Sequence, residues 1–123
     1  QIMRLILSIA ALTLCVSQAT AADFTMNYKW CSGSPNIQVS NVPKGTSELE
    51  FKMVDLNKPS FNHGGGKIKY TNQKNIACGE FTSTFTGPSP PPPQVHDYEI
   101  TATAKDKDGN VLGTAKAVKK FPE

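Results

Sequence analysis

The stretch EFKMVDLNKPSFNHGGG, residues 50–66, organises the rest of the chain. Around its start every second residue from Leu49 to Met53 is apolar, as expected for a strand with one buried face. That face ends in Asp55, and an ionised carboxylate is costly to bury without a partner. We therefore expect Asp55 at the rim of the core, facing a pocket, and His63 in the loop that follows.

The most regular alternation in the chain lies at residues 96–105, HDYEITATAK. His96 and Tyr98 share a face with Ile100, and polar residues occupy the other face. If this strand neighbours the strand that ends in Asp55, an acid, two imidazoles and a phenol converge at one end of a sheet.

The remaining pattern is one of short strands and dense turns. Residues 87–93, GPSPPPP, must form an extended loop, because proline lacks a backbone donor and has a fixed torsion. The segment DKDGN, residues 106–110, predicts a hairpin turn. Further strands are expected at residues 24–30, 37–39, 67–70, 76–85 and 111–121. With no convincing helical periodicity, the sequence predicts an all-β sandwich.

The first 22 residues resemble a secretory signal peptide. Arg4 precedes an apolar run at residues 5–16, and small residues follow at 17–22. A lipid anchor on Cys15 is the alternative, disfavoured because Leu14 before it is bulky. We expect one mature domain, residues 23–123, without a transmembrane segment, in the periplasm or secreted.

The mature domain carries 12 lysines against 10 acidic residues, a net charge of +2, and the lysines are scattered. Such a balance predicts no nucleic-acid partner. Cys31 and Cys78 remain as an even pair in an oxidising compartment, so we expect a disulfide; two separate buried thiols are the alternative.

Catalytic and metal-dependent functions find little support in the sequence. The segment His63-Gly64-Gly65-Gly66 is similar to an oxyanion loop of lipases, but no Gly-x-Ser-x-Gly elbow accompanies it. His63, His96 and Asp55 make a weak zinc set, and the two cysteines lack paired neighbours. We expect no metal, no cofactor and no enzymatic activity.

The order of these motifs resembles the phosphatidylethanolamine-binding protein family, also called Raf kinase inhibitor-like proteins, in its short secreted bacterial form. The resemblance runs from Ser34 to Pro122 and rests on SPNI, NVPKGT, residues 51–66, GPSPP and His96-x-Tyr98. It implies a Greek-key β-sandwich with a small anion pocket. Carried over by motif, the pocket residues are Asp55, Pro59, His63, Gly87, Pro88, His96 and Tyr98.

The chain departs from the family pattern at four positions beside these pocket residues. Leu56 and Asn57 replace the usual Pro and Asp, Asp97 stands where Arg is common, and Ser89 where secreted relatives often carry Cys. We expect a binding protein for a small anionic or zwitterionic ligand, such as a phospholipid head group. Asp55 would accept from an ammonium, and the two histidines would donate to phosphate oxygens. The alternative is a protein-interaction module, such as an inhibitor of a peptidase or another enzyme, that uses the proline-rich loop as its contact surface.

Overall fold

A computed structural model describes residues 8–14, 22–81 and 84–123. Most of the proposed signal peptide, including Arg4 and Cys15, lies outside these residues. Within them the chain forms strands and no helix, which confirms the predicted all-β class. The strands are β1 (Thr25–Lys29), β2 (Asn36–Ser40), β3 (Glu48–Asp55), β4 (Gly65–Lys69), β5 (Asn75–Ile76), β6 (His96–Lys105) and β7 (Val111–Phe121).

The strands form two antiparallel sheets. The smaller sheet has the order β1-β2-β5, and the larger has the order β4-β3-β6-β7. β3 and β6 are the two central strands of the larger sheet, and they pair along the whole length of β3. This pairing brings the two strands that carry the predicted site residues side by side.

The inward faces of both sheets bury one common core. The smaller sheet contributes mainly aliphatic side chains and one tyrosine, and the larger sheet adds bulky residues from β3 and alanines from β6. The buried apolar residues are Met26, Tyr28, Ile37, Val39, Leu49, Phe51, Met53, Ile68, Ile76, Tyr98, Ile100, Ala102, Ala104 and Ala115. A core shared by two facing sheets gives the sandwich-like arrangement that short strands with alternating patterns predict.

The alternation read from the sequence matches the burial in the two central strands. Every second residue of β3 from Leu49 to Asp55 is buried, and every second residue of β6 from His96 to Ala104 is buried. The hairpin turn predicted at residues 106–110 is also present, closed by a hydrogen bond from the Asp106 amide to the Asn110 carbonyl at 2.9 Å.

The prediction of a strand at residues 76–85 is wrong for the residues that the structure describes. Only Asn75–Ile76 pairs with β2, and residues 77–81, 84 and 85 form no strand; residues 82 and 83 lie outside the described part of the chain. A turn at Gly79, with φ of 79°, ends the extended run. Phe81 then packs onto the core, its ring stacked on that of Phe51 with 5.0 Å between centroids. Aromatic residues that anchor a loop to the core here carry the same local signal as a strand.

Cys31 and Cys78 form a disulfide, as the cysteine count predicts. Their Cα atoms are 5.9 Å apart, within the usual range for such bonds. The bond joins the residues that follow β1 and β5, so it fixes the start of the long loop that leads to β6. Among the described residues, no helix is long and apolar enough to cross a membrane.

Candidate functional site

The register of the two central strands gathers polar side chains at one end of the core. Asp55, the last residue of β3, pairs with Tyr98 of β6. His96 lies two residues before Tyr98 on the same face, which makes it a diagonal neighbour of Asp55. All three are buried, with exposed fractions of 4% for Asp55, 8% for His96 and 1% for Tyr98. The two strands are therefore neighbours, as the predicted convergence of these polar side chains requires.

The carboxylate of Asp55 is held on both of its oxygens. His96 Nδ1 lies 2.6 Å from Oδ2, and the amides of Asn57 and Lys58 donate to Oδ1 at 2.9 and 3.1 Å. The two hydrogen bonds from backbone amides form a turn in which the Asp55 side chain caps the backbone that follows it. Burial alone would raise the pKa of Asp55, but the hydrogen bonds from His96 and the two amides outweigh burial and lower the pKa. The carboxylate is thus stabilised in its ionised form.

Both ring nitrogens of His96 are engaged. Nδ1 faces the Asp55 carboxylate, and Nε2 lies 2.7 Å from the amide oxygen of Gln94. A carboxylate and an amide oxygen both accept hydrogen bonds, so this geometry fits an imidazole ring with a proton on each nitrogen. The buried charge of Asp55 then has a direct counter-charge beside it.

Tyr98 forms the inner wall of the site and is braced from the smaller sheet. The Tyr28 hydroxyl donates to the Tyr98 carbonyl at 2.6 Å, and the Trp30 ring meets the Tyr98 ring edge to face at 5.5 Å. Burial, together with the charge of Asp55 and a hydrogen bond to it, raises the pKa of Tyr98 to about 12. The phenol therefore keeps its proton at any physiological pH.

His63 is fixed by the loop that precedes β6. Its Nδ1 lies 2.8 Å from the Thr86 carbonyl oxygen, and the Thr86 amide donates to the His63 carbonyl at 2.8 Å. Because a carbonyl can only accept, Nδ1 carries the proton and Nε2 keeps its lone pair in the neutral ring. The ring lies 4.5 Å from Phe61 and 5.4 Å from Tyr98 between centroids. His63 is 4% exposed, so it is a buried wall of the site and not a free loop side chain.

Gly64 allows this close approach of the two loops. Its φ is 69°, in the left-handed region that favours glycine. A Cβ atom placed there would collide with the carbonyl oxygen of Thr84, and it would lie 3.1 Å from the Thr84 carbonyl carbon. The glycine after the histidine thus has a packing role in holding His63 against the second loop.

These groups line a pocket of about 160 Å³. The pocket is bounded by the end of β3, the loop that follows it, the proline-rich segment and the start of β6. Its lining residues are Asp55, Lys58, Phe61, His63, Thr86, Gly87, Ser89, Pro90, Pro91, His96 and Tyr98. Of the residues assigned from the sequence, Asp55, His63, Gly87, His96 and Tyr98 are among them. Pro59 is exposed and Pro88 is half-buried, and neither lines the pocket.

Several pocket residues were missed by the sequence analysis. Lys58 and Phe61 lie within the stretch that was singled out, but a lysine and an aromatic residue in a loop carry no periodic signal. Thr86 participates through its backbone, which no side-chain motif reports. The segment at residues 87–91, which begins directly after Thr86 and contains Ser89, was the sequence signal that could have indicated both residues.

A larger and more open depression of about 610 Å³ lies at the edge of the larger sheet, between β3 and β4. Its lining includes Glu48, Lys67, Lys69 and Glu80, and none of its titratable residues is buried. The smaller pocket is the better candidate because its acid and its histidines are buried and fixed by hydrogen bonds. Within the described chain, no group of three His, Cys, Asp or Glu side chains is placed to hold a metal ion.

Comparisons with known proteins add no relative. No protein-family model, no curated protein and no solved structure matches this chain. The resemblance to the phosphatidylethanolamine-binding protein family therefore stays a prediction from the motifs.

Proposed function

We propose that this protein binds a small anionic or zwitterionic ligand, such as phosphate or a phospholipid head group, in the pocket beside His96. The observation that carries this proposal is the buried His96–Asp55 pair, with 2.6 Å between Nδ1 and Oδ2, at the wall of the pocket. In such a pair the carboxylate holds one ring nitrogen, and the other N–H group, which here lies 2.7 Å from the amide oxygen of Gln94, can serve as a charge-assisted donor to an anion.

The pair also suggests a division of roles within the pocket. Both oxygens of Asp55 are already bonded within the chain, so Asp55 orients His96 and we propose no direct contact of Asp55 with the ligand. Lys58 lines the pocket and is exposed, and its ammonium group adds a second positive charge for an anion. This differs from the expectation that Asp55 itself receives a ligand ammonium.

His63 supports a dipolar ligand. With its Nδ1 proton committed to the Thr86 carbonyl, the neutral ring offers Nε2 as an acceptor. The pocket would then present a donor at His96 and an acceptor at His63, which matches a ligand that carries both an anionic oxygen and an N–H group. Phosphoethanolamine has both.

The size of the pocket favours a small group. Pockets that enclose drug-sized ligands hold roughly 300–1,000 Å³. A volume of about 160 Å³ suits a phosphate or a head group, while the acyl chains of a lipid would have to remain outside.

We further propose that the chain is a short secreted member of the phosphatidylethanolamine-binding protein family with a Greek-key sandwich, exported to the periplasm or secreted. The order of motifs and the two antiparallel sheets support membership of the family, and the disulfide supports export. Disulfides persist in oxidising compartments, and the leader-like composition of the first 22 residues is consistent with export.

Titration calorimetry with inorganic phosphate and phosphoethanolamine tests the proposal. We expect both to bind the wild-type protein, and His96→Ala to weaken both by about 1.5–3 kcal/mol, the contribution of a charge-assisted hydrogen bond. Ethanolamine alone should bind much more weakly. If neither phosphate compound binds the folded wild-type protein at millimolar concentration, the proposal is wrong.

A protein-interaction module, such as an enzyme inhibitor, is the second candidate. It is favoured by apolar side chains exposed beside the pocket residues: Leu56 follows Asp55, Val95 precedes His96, and Phe61 lines the pocket itself, with exposed fractions of 45%, 51% and 47%. Clustered exposed apolar residues often mark contact surfaces. An inhibition screen against peptidases tests this candidate, and Val95→Ser should weaken any inhibition found while leaving phosphate binding unchanged.

A further inference from the structure

The outward nitrogen of His96 is bonded to the chain itself. Gln94 Oε1 lies 2.7 Å from His96 Nε2, which is hydrogen-bond distance. The inner nitrogen is committed to Asp55. The donor that would meet a ligand oxygen is therefore already bonded to a neutral acceptor oxygen of the chain.

The backbone of Gln94 is held in a turn, whereas its side chain is exposed. It ends the proline-rich segment, and its amide closes a turn by donating to the Pro91 carbonyl at 2.9 Å. The prolines before it restrict the torsions of that turn. The residue is exposed, so its side chain can rotate into solvent without breaking the core.

We propose that Gln94 is an internal competitor for the ligand: its amide oxygen holds His96 Nε2 and is replaced there by an anionic oxygen of the ligand. This inference rests on the function proposed above. It assigns to Gln94 a role in selecting the ligand, and it makes the group that contacts His96 a hydrogen-bond acceptor.

The competition discriminates between ligand classes. An ionised acceptor adds the attraction of opposite charges to the hydrogen bond from His96, and the neutral amide oxygen of Gln94 does not. A phosphate or carboxylate oxygen can therefore displace the neutral amide oxygen of Gln94. A ligand that offers only a neutral carbonyl or hydroxyl oxygen gains no advantage over the oxygen already present, so it should bind more weakly than an anionic ligand.

Two substitutions at Gln94 should act in opposite directions. Gln94→Ala removes the competitor, and we expect inorganic phosphate to bind about three- to tenfold more tightly, the range that one competing hydrogen bond represents. Gln94→Glu places a carboxylate of the same shape on His96, and we expect phosphate affinity to fall by roughly tenfold or more. Gln38→Ala, on an exposed face of β2, is the matched control and should bind as the wild type does.

Titration calorimetry of inorganic phosphate against the wild type and these three variants tests whether Gln94 competes with the ligand or only supports the loop. If Gln94 only supports the loop, Gln94→Ala and Gln94→Glu should both weaken binding, and that result would overturn the inference while the proposed function stands. Equal affinities in all four proteins would overturn it as well. Binding by none of them would overturn the proposed function itself.

A second measurement follows the displaced side chain directly. In ¹⁵N-labelled wild-type protein, saturating phosphate should shift the Gln94 side-chain amide resonances toward those of a solvent-exposed glutamine, while those of Gln38 stay in place. Unchanged Gln94 resonances with phosphate bound would show that the amide is not displaced, and the inference would fail.

Discussion

Asp55 and Tyr98 face each other across the pairing of β3 and β6, and burial and the charge of Asp55 together raise the pKa of Tyr98. Tyr98 is almost fully buried, and the pKa of its phenol is raised to about 12 by burial and by the nearby charge of Asp55. The same carboxylate has a lowered pKa because His96 and two backbone amides bond to it. Asp55 thus links the titration of its own carboxyl group to that of Tyr98.

The first prediction concerns acid stability. Since the pKa of Asp55 is lower in the folded than in the unfolded protein, its ionised form stabilises the fold above the unfolded value of about 3.9. This contribution is lost as the pH falls through the folded pKa, below that value. Asp55→Asn should cost about 1.5–3 kcal/mol at neutral pH and flatten the acid limb of the stability curve, as measured by urea denaturation from pH 6 to pH 2.5.

Glu50→Gln is the matched comparison for that experiment. A hydrogen bond from Lys105 lowers the pKa of Glu50 as well, but the Glu50 side chain is 37% exposed. Solvent screens such a pair, so its effect on the acid limb should be much smaller. An acid limb that is the same in Asp55→Asn and in the wild type would show that the buried pair does not contribute as described.

The second prediction concerns the phenol of Tyr98. A raised pKa means that its contribution to stability is fully present below the unfolded value of about 10 and is lost as the pH rises toward 12. In the folded protein at pH 11, ¹³Cζ NMR should still show Tyr98 as a neutral phenol. Asp55→Asn should lower its titration midpoint, because the nearby negative charge is removed.

Tyr28 serves as the internal control for that titration. Burial is the main cause that raises the pKa of Tyr28, and Asp55 does not contribute to it. Its titration should therefore be the same in the wild type and in Asp55→Asn. A Tyr98 resonance that titrates near pH 10 in folded wild-type protein would contradict the buried arrangement of this pocket.

The sequence predicted the site residues on the strands better than those in the loops. Period-two alternation fixes which side of a strand a residue faces, so Asp55, His96 and Tyr98 could be placed inward before any pairing was known. Their meeting depended on β3 and β6 being neighbours, which alternation does not determine. The bond between His96 and Gln94 depends on a side chain in an irregular loop, where no periodicity applies.

The errors in the prediction have the same origin. The apolar and aromatic residues between Ile76 and Phe85 suggested a strand, but Phe81 and Phe85 pack against each other, ring edge to ring face with 5.9 Å between centroids, on a loop whose start is held by the disulfide. Local composition cannot distinguish a residue that anchors a loop from one that belongs to a strand. Pro59 and Pro88 were assigned to the pocket by motif, but its lining includes their neighbours Lys58 and Gly87 instead.

The third prediction concerns the disulfide. Cys31 and Cys78 are 47 residues apart, and the chain-entropy model gives about 4 kcal/mol for closing a loop of that length. The double variant Cys31→Ser, Cys78→Ser should lose roughly that much free energy of unfolding in urea. Oxidised wild-type protein should not react with a thiol reagent at either residue until it is reduced, and labelling without reduction would show that the bond is absent.

The last prediction distinguishes two reasons why a position requires glycine, its backbone torsion and a close packing contact. Gly64 and Gly79 have similar backbone torsions, with φ of 69° and 79°, so an alanine at either position suffers the strain of the left-handed region, about 1–2 kcal/mol. Nothing lies within 4 Å of a Cβ atom at Gly79, whereas at Gly64 the Cβ atom would collide with the Thr84 carbonyl. Relieving that collision must move apart the two loops that hold His63.

Gly64→Ala should therefore destabilise the protein by about 1–3 kcal/mol more than Gly79→Ala, the usual cost of overpacking, when both are measured by urea denaturation. Because the His63 bond to Thr86 lies beside the collision, Gly64→Ala should also weaken phosphoethanolamine binding, while Gly79→Ala should leave it unchanged. Equal destabilisation by the two alanines would mean that backbone torsion alone requires these glycines, and that the contact of the two loops at Thr84 is not tight.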